Sequence, residues 1–533
     1  MSKQTIWTGL GAAQLARQLA DGAVSSQEAV EQHIARAQAV QPALKAVTQD
    51  LFESARAAAR EADAARARGD VLGPLHGVPV TIKECLDLVG TASTFGLSSR
   101  TGHRATRDEL HVARLKAAGA IPIAKSNVAQ WLLYYEADNP VYGATNNPYS
   151  AARTPGGSSG GEAALVAAGA SPLGLGSDIG GSVRVPAAFC GVCSLKPTAG
   201  RCDDMGEFWG PRGQTSIAPQ VGVIAPTVAD VALGTRIIAG DLDRQAITDM
   251  APRWSKATPA PIGNPDRVVL QGLRVGLYES DAHFPSSPAV QRAVQEAARH
   301  LRAAGATVVP WVPPAMNHAQ RLFVGLLGAD WLDILTERAG GSTLSPQIRQ
   351  LAMLSKLPVP VMRLLGALLR RLGQAQMAEG LASFGPNTVG HYWRLVEAQL
   401  EYQARALQAL NEVAGGPVDA VLAPVCAVPA YTHGASVDLL TAGAYASLYN
   451  LLGWPAGVVP VTHVRADEER GREPSRDRIL RLAAQVDVGS AGLPVGVQIA
   501  ARPWREDIVL AVMAAIEAPT QGGILRPSLA PAS

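Results

Sequence analysis

Between Thr154 and Thr198 the chain reads TPGGSSGGEAALVAAGASPLGLGSDIGGSVRVPAAFCGVCSLKPT, and two glycine-flanked serine turns in this stretch constrain the fold more than any other feature. GGSSGG carries Ser158 and Ser159, and DIGGS carries Ser182. Glycine lacks the Cβ that bars close approach, so turns of this kind can bring backbone N–H groups and a hydroxyl onto one small ligand. The first turn runs into the Ala-rich helical pattern Glu162–Ala168, which separates it from an ordinary flexible surface loop. Upstream, GVPVTIKE places Lys83 on an apolar strand pattern with Val78, Val80 and Ile82.

That lysine stands out against the composition. The chain has 8 lysines among its 47 basic residues, so arginine carries most of the positive charge. Arginine does not shed its proton in a protein, whereas a buried lysine can. Lowering a lysine from ~10.4 to near 7 takes about 4–5 kcal/mol of differential solvation, within reach of full burial. Ser182 follows Asp178-Ile179-Gly180-Gly181, a turn whose successive N–H groups can converge on a carbonyl oxygen. Serine turns and lysine together point to a serine nucleophile served by a lysine base, in place of the more familiar histidine.

With 533 residues and no Gly/Ser or Pro-repeat linker, the chain reads as one large unit, residues 1–533. N-terminal helices occupy 1–70, with two helices over 11–68, the second presenting Ala58, Ala59, Ala62 and Ala65 as a surface helix. A catalytic core spans 75–240. Helix-then-strand patterns recur at Val112–Ala118 with Ile121–Ala124, at Ala293–Ala304 with Ala306–Val309, and at Ala404–Val413 with Ala420–Ala423. The expected fold class is therefore α/β, a large, mixed but mainly parallel twisted sheet covered by many helices. Polar stretches at 241–266 and 464–478 read as surface loops.

The segment 338–378 departs from this pattern. It has no acidic residue and carries Arg338, Arg349, Lys356, Arg363, Arg370 and Arg371. On a helical wheel Val361, Met362, Leu364, Leu365, Leu368, Leu369 and Leu372 fall on one side, opposite Arg363, Arg370 and Arg371. A basic amphipathic helix of this kind suits a membrane interface or the rim of an apolar pocket.

Motif after motif, from GVPVTIKE through GGSSGG and DIGGS to GLPVGVQIAARPW near the end, resembles the amidase signature family, and within it the fatty acid amide hydrolase group. The resemblance covers about residues 25–515. It implies an amidohydrolase acting on linear amides through a serine–cis-serine–lysine triad. Ser182 would be the nucleophile, Ser158 the middle serine after a cis Gly157–Ser158 bond, and Lys83 the base. The N–H groups of Ile179, Gly180, Gly181 and Ser182 would hold the oxyanion, with Ser159, Asp178 and Arg184 in support. Leu132, Leu133 and Tyr135, within the bulky run Gln130–Tyr135, would line the acyl-binding region together with Ser158. The resemblance also gives 338–378 the role of a membrane-binding cap. Trp131, Leu133 and Tyr135 differ from the residues that group has there, which leaves fatty, aryl and carbamate substrates all open.

No metal or organic cofactor is called for. Cys190 and Cys193 form a CxxC with no second pair and no adjacent histidine, so zinc is not expected. A net charge of +2 without a basic stripe gives no reason to expect nucleic acid. The N-terminus lacks the layout of a secretion signal and no long apolar run spans a membrane, so the expectation is cytoplasmic, peripheral on the inner membrane face through 338–378. The expected partner is a hydrophobic amide substrate; a homodimer stays open. Rival functions are the glutaminase subunit of a tRNA-dependent amidotransferase and a lipid-binding scaffold. An elbow nucleophile at Ser159 is set aside because the turn-rich NNPYSAARTP, rather than a strand, precedes it.

Overall fold

The structure, a computed structural model, describes residues 7–203, 206, 213–240, 261–329, 331–355, 357–383, 388–520 and 527. Its strands are β1 (Val47–Asp50), β2 (Pro79–Lys83), β3 (Ile121–Ser126), β4 (Asp138–Asn139), β5 (Gly143–Ala144), β6 (Gly174–Asp178) and β7 (Cys193–Lys196). They continue as β8 (Gln220–Ala225), β9 (Arg274–Leu277), β10 (Thr307–Pro310), β11 (Ala420–Pro424), β12 (Ala456–His463) and β13 (Pro494–Ala501). Eleven of them form one sheet in the order β1-β3-β2-β6-β8-β7-β12-β13-β11-β9-β10, and β4 and β5 pair apart from it. Strands from both ends of the chain thus share one core.

The α/β class and the mixed sheet agree with expectation, but the sheet is not mainly parallel. Only β3–β2, β2–β6, β11–β9 and β9–β10 are parallel. The edge pair β1–β3 and every pair from β6 through β8, β7, β12 and β13 to β11 are antiparallel. The cause of the misreading is physical: β6, β7, β8, β11 and β13 are buried on both faces, and such strands read as apolar runs whichever way they point.

Residues 11–68 hold three helices rather than two: Ala12–Ala20, Ser26–Leu44 and Phe52–Arg68. Ser25 caps the second by accepting from the Glu28 N–H at 3.0 Å, and Gly69, at φ 79°, closes the third. The unexpected β1 lies between them. Ala55, Ala59 and Ala62 face inward onto Val30, Ile34, Ile121 and Ile123, whereas Ala58 is exposed and Ala65 half-buried, so the helix lies at the surface with only part of the alanine ladder packed. The other helix–strand repeats are present, as helices Leu110–Ala117, Pro288–Ala303 and Val389–Asn411 before β3, β10 and β11, the last two starting well before the expected Ala293 and Ala404. Residues 241–260 of the first polar stretch lie outside the described residues, while 464–478 is a loop with one 3-10 turn, Ala466–Glu468.

Two features position the site. Parallel β2 and β6, in the register Thr81↔Gly174 and Ile82↔Leu175, bring their C-terminal ends, Lys83 and Asp178, to the same side of the sheet. Such ends are where open α/β sheets collect ligands. The buried helices Gly160–Ala167 and Arg184–Cys190 then start from the two serine turns beside those ends.

Candidate active site

Lys83 is fully buried at the end of β2. Its Nζ donates to Ser158 Oγ at 2.8 Å, to Ser177 Oγ at 2.9 Å and to the Ser177 carbonyl at 3.3 Å. Burial pushes the ammonium down to about 8, against the upward pull of Cys85, Asp178, Glu162 and Glu84. The Gly157–Ser158 bond is cis. Gly157 admits no side chain, since a Cβ there would come within 2.1 Å of the Glu136 carbonyl oxygen.

The second turn is held to the first through the backbone: the Ser159 N–H donates to the Ser182 carbonyl at 3.1 Å. Ser159 Oγ lies 3.3 Å from both the N and the O of Ser177, a supporting place. The hydroxyl of Ser182 makes no hydrogen bond among the described residues and faces a cavity. It is therefore not bonded to Ser158, and the serine–serine relay expected from the sequence is not closed in this structure. Catalytic hydrogen bonds are commonly long before substrate binds.

The four expected oxyanion donors are not equivalent. Tyr135 donates its hydroxyl to the Gly180 carbonyl at 2.7 Å, and the Gly181 N–H donates to Asp178 Oδ1 at 2.7 Å. The carbonyl and N–H of one peptide point opposite ways, so this peptide is clamped at both ends and the Gly181 N–H is committed to Asp178. The N–H groups of Ile179, Gly180 and Ser182 make no hydrogen bond among the described residues and remain as donors. Asp178 in turn meets Arg184, with Nε to Oδ2 and NH2 to Oδ1 both at 3.0 Å, and accepts from Asn450 at 2.9 Å. Burial alone would raise the Asp178 carboxyl, but Arg184, Lys196 and Asn450 outweigh it and hold it well below the usual carboxylate range. Arg184 also reaches the Ala446 carbonyl at 2.8 Å and Gln498 at 3.1 Å, which anchors the turn to β13.

Three buried groups escaped the sequence reading. Ser177 is a third hydroxyl at Lys83; its place just before Asp178 at the end of an apolar strand is the signal that could have found it. Glu162, beneath the first turn, accepts from Thr81 Oγ at 2.5 Å, and burial pushes its carboxyl up to about 7 despite Ser126, Thr81 and Lys83. Asn450 lies 266 residues from its partner Arg184, and nothing in the local pattern marks it.

Leu132, Leu133 and Tyr135 are brought to the wall of the cavity, beside Ile179, Gly180 and Ser182. The cavity, of about 100 Å³, continues past Phe323, Val324, Leu327, Leu351 and Leu440. Ser158 does not line it and stays behind the turn, on Lys83. Cys190 and Cys193 are buried and free, and no cluster of metal-binding side chains exists among the described residues.

A family model described as Amidase matches residues 28–510. The chain belongs to the amidase family. This amidase is 36% identical to fatty-acid amide hydrolase 1 of Sus scrofa over 95% of its own length and 84% of that protein. It is 31% identical to a subunit of the glutamyl-tRNA(Gln) amidotransferase of Chloroflexus aggregans, over 96% of both chains. A solved structure of a fatty acid amide hydrolase superposes with a TM-score of 0.81 at 23% identity, covering 96% of this amidase and 84% of that chain, which shows the shared fold. The amidase is thus an amidohydrolase.

Proposed function

We propose that this amidase hydrolyses amides of apolar acyl groups through an acyl-enzyme on Ser182. Neutral Lys83 draws a proton from Ser158, and Ser158 draws one from Ser182 as the latter attacks the carbonyl carbon. The N–H groups of Ile179, Gly180 and Ser182 stabilise the oxyanion, each worth roughly 2.7–4 kcal/mol in sites of this kind. The proton returns through Ser158 to the leaving amine, and water then releases the acid. Asp178, clamped by Arg184, keeps the turn in shape. No step uses a metal or an organic cofactor.

The observation that carries this reading is the wall of the cavity next to Ser182. It is built mainly from leucines, aromatic residues, isoleucine and valine, with Gln320 and Ser447 as neutral polar members, and with no charged side chain among the described residues. A glutaminase must bind an α-ammonium and an α-carboxylate, and burying either without a partner is costly. The test is a series of linear acyl amides measured beside glutamine. Each methylene buried contributes about 0.8 kcal/mol, roughly fourfold in kcat/KM, until the cavity is full. Glutamine is expected to be a poor substrate. A flat series with efficient glutamine turnover overturns the reading in favour of the glutaminase.

The same reading extends to the surface. The segment 338–378 includes helices Pro346–Ser355 and Val359–Arg371, and it contributes Leu351 to the cavity wall. Lys356 lies outside the described residues. The apolar side of the second helix is divided: Met362 is buried and Leu365 and Leu369 are half-buried, whereas Val361, Leu364, Leu368 and Leu372 stand 47%, 74%, 52% and 61% exposed. Exposed leucines beside Arg363, Arg370 and Arg371, on the helix that follows the one carrying Leu351, favour a peripheral contact with an anionic lipid surface. No helix among the described residues is long and apolar enough to cross a membrane. Replacing Leu364, Leu368 and Leu372 with serine is expected to weaken vesicle co-sedimentation and long-chain turnover together while sparing short amides. Glutamine at the three arginines should cost about 1 kcal/mol each on anionic vesicles only. Wild-type protein that ignores anionic vesicles rules the contact out and leaves the amidase intact.

A further inference from the structure

Away from Ser182, the described lining of the cavity has one further polar place with an unengaged group. Gln320, on the helix Met316–Leu327, and Ser447, on the helix Ala444–Leu451, both line it while only 8% and 2% exposed. Ser447 Oγ lies 3.2 Å from Gln320 Oε1 and 3.3 Å from the Ala444 carbonyl. A hydroxyl has one proton and serves one of these acceptors. Gln320 Nε2 donates to no described residue. With the amide turned the other way, Nε2 would meet Ser447 and Oε1 would be left over, so half of the amide faces the cavity unpaired in either orientation. A purely hydrocarbon ligand would cover that group without satisfying it, which is unfavourable.

The pair stands beside the nucleophile turn. Phe323, one helical turn from Gln320, lies against Gly180, where a Cβ would come within 2.9 Å of its ring. Ala446, just before Ser447, packs on Gly181, where a Cβ would come within 2.8 Å of the alanine methyl. A carbonyl seated at Ser182 therefore has the Gln320–Ser447 pair near its first few acyl atoms.

We infer that Gln320 and Ser447 select acyl groups that carry a neutral hydrogen-bonding group, such as a hydroxyl, an ether oxygen or a second amide, within a few atoms of the scissile carbonyl. The inference rests on the acyl-pocket reading above. No charged residue lines the cavity among the described residues, which disfavours a carboxylate or ammonium at that place.

The test uses amides of matched size carrying either a hydroxyl or a methyl group on the α, β or γ carbon of the acyl chain. The quantity read is the ratio of kcat/KM for the hydroxyl and methyl members, which within one enzyme cancels any loss of folded protein. Wild type is expected to favour the hydroxyl about tenfold or more at one position. In Gln320→Leu the ratio should fall to about one or below, and in Ser447→Ala it should fall part-way. Gln320→Met serves if the leucine variant yields no soluble protein. A wild type that favours methyl at all three positions, or a ratio unchanged in the Gln320 variants, overturns the inference. Hydrolysis of both series without discrimination defeats the selection alone, whereas hydrolysis of neither defeats the acyl-pocket reading and the inference with it.

Discussion

Ser182→Ala is expected to lower amide turnover by at least about 10⁴-fold and to abolish covalent labelling by a fluorophosphonate. The deleted hydroxyl has no hydrogen-bond partner among the described residues, so the thermal midpoint should barely move. Mass spectrometry of the labelled wild type should place the adduct on the peptide containing Ser182. That outcome follows from exposure to the cavity: Ser182 lines it, whereas Ser158 and Ser159 are engaged behind it with Lys83 and Ser177. An adduct on Ser159 would instead make that residue the nucleophile, and the roles assigned to both turns would have to be exchanged.

Loss of Lys83 should be nearly as severe, at about 10²–10⁴-fold on amides. Its most informative signature is the pH profile. Burial disfavours the charged form, so the folded protein holds this lysine near 8, well below the free side chain. Only the neutral amine can act as base, so turnover should climb with pH through a limb centred near 8 and fall tenfold for each unit below it. In Lys83→Ala that limb should vanish. Esters, whose leaving group needs no proton, should lose less than amides, and least at high pH, where hydroxide substitutes. An acid limb that persists unchanged in Lys83→Ala would show that another group is the base, with Glu162, held near 7, the first to test.

Much of the chemistry is legible in the linear chain. The shortage of lysine makes Lys83 conspicuous, and glycine around Ser158 and Ser182 marks backbone that must pass close to other atoms. Both signals are local, because they depend on what a side chain can do and on what a missing Cβ permits. The amphipathic helix Val359–Arg371 is only half legible. The wheel gathers seven apolar residues on one side of the helix, and the structure turns Met362, Leu365 and Leu369 inward while leaving Leu364, Leu368 and Leu372 outside. A hydrophobic stripe states that a face is apolar; what covers it depends on neighbours elsewhere in the chain.

The same division holds at the centre. Sequence alone determined which residue types were present to attack, to accept a proton and to line an apolar space. Tertiary structure decided the direction of the central strands, since a strand buried on both faces looks the same from either end. It also decided that Gly181 N–H serves Asp178 rather than the cavity, because Tyr135, 45 residues from Gly180, holds the carbonyl of the same peptide. And it placed Asn450 and Gln498 on Arg184, 266 and 314 residues away along the chain. A hydrogen bond is set by distances of about 3 Å in space, and a linear pattern contains no such distance between residues hundreds of positions apart.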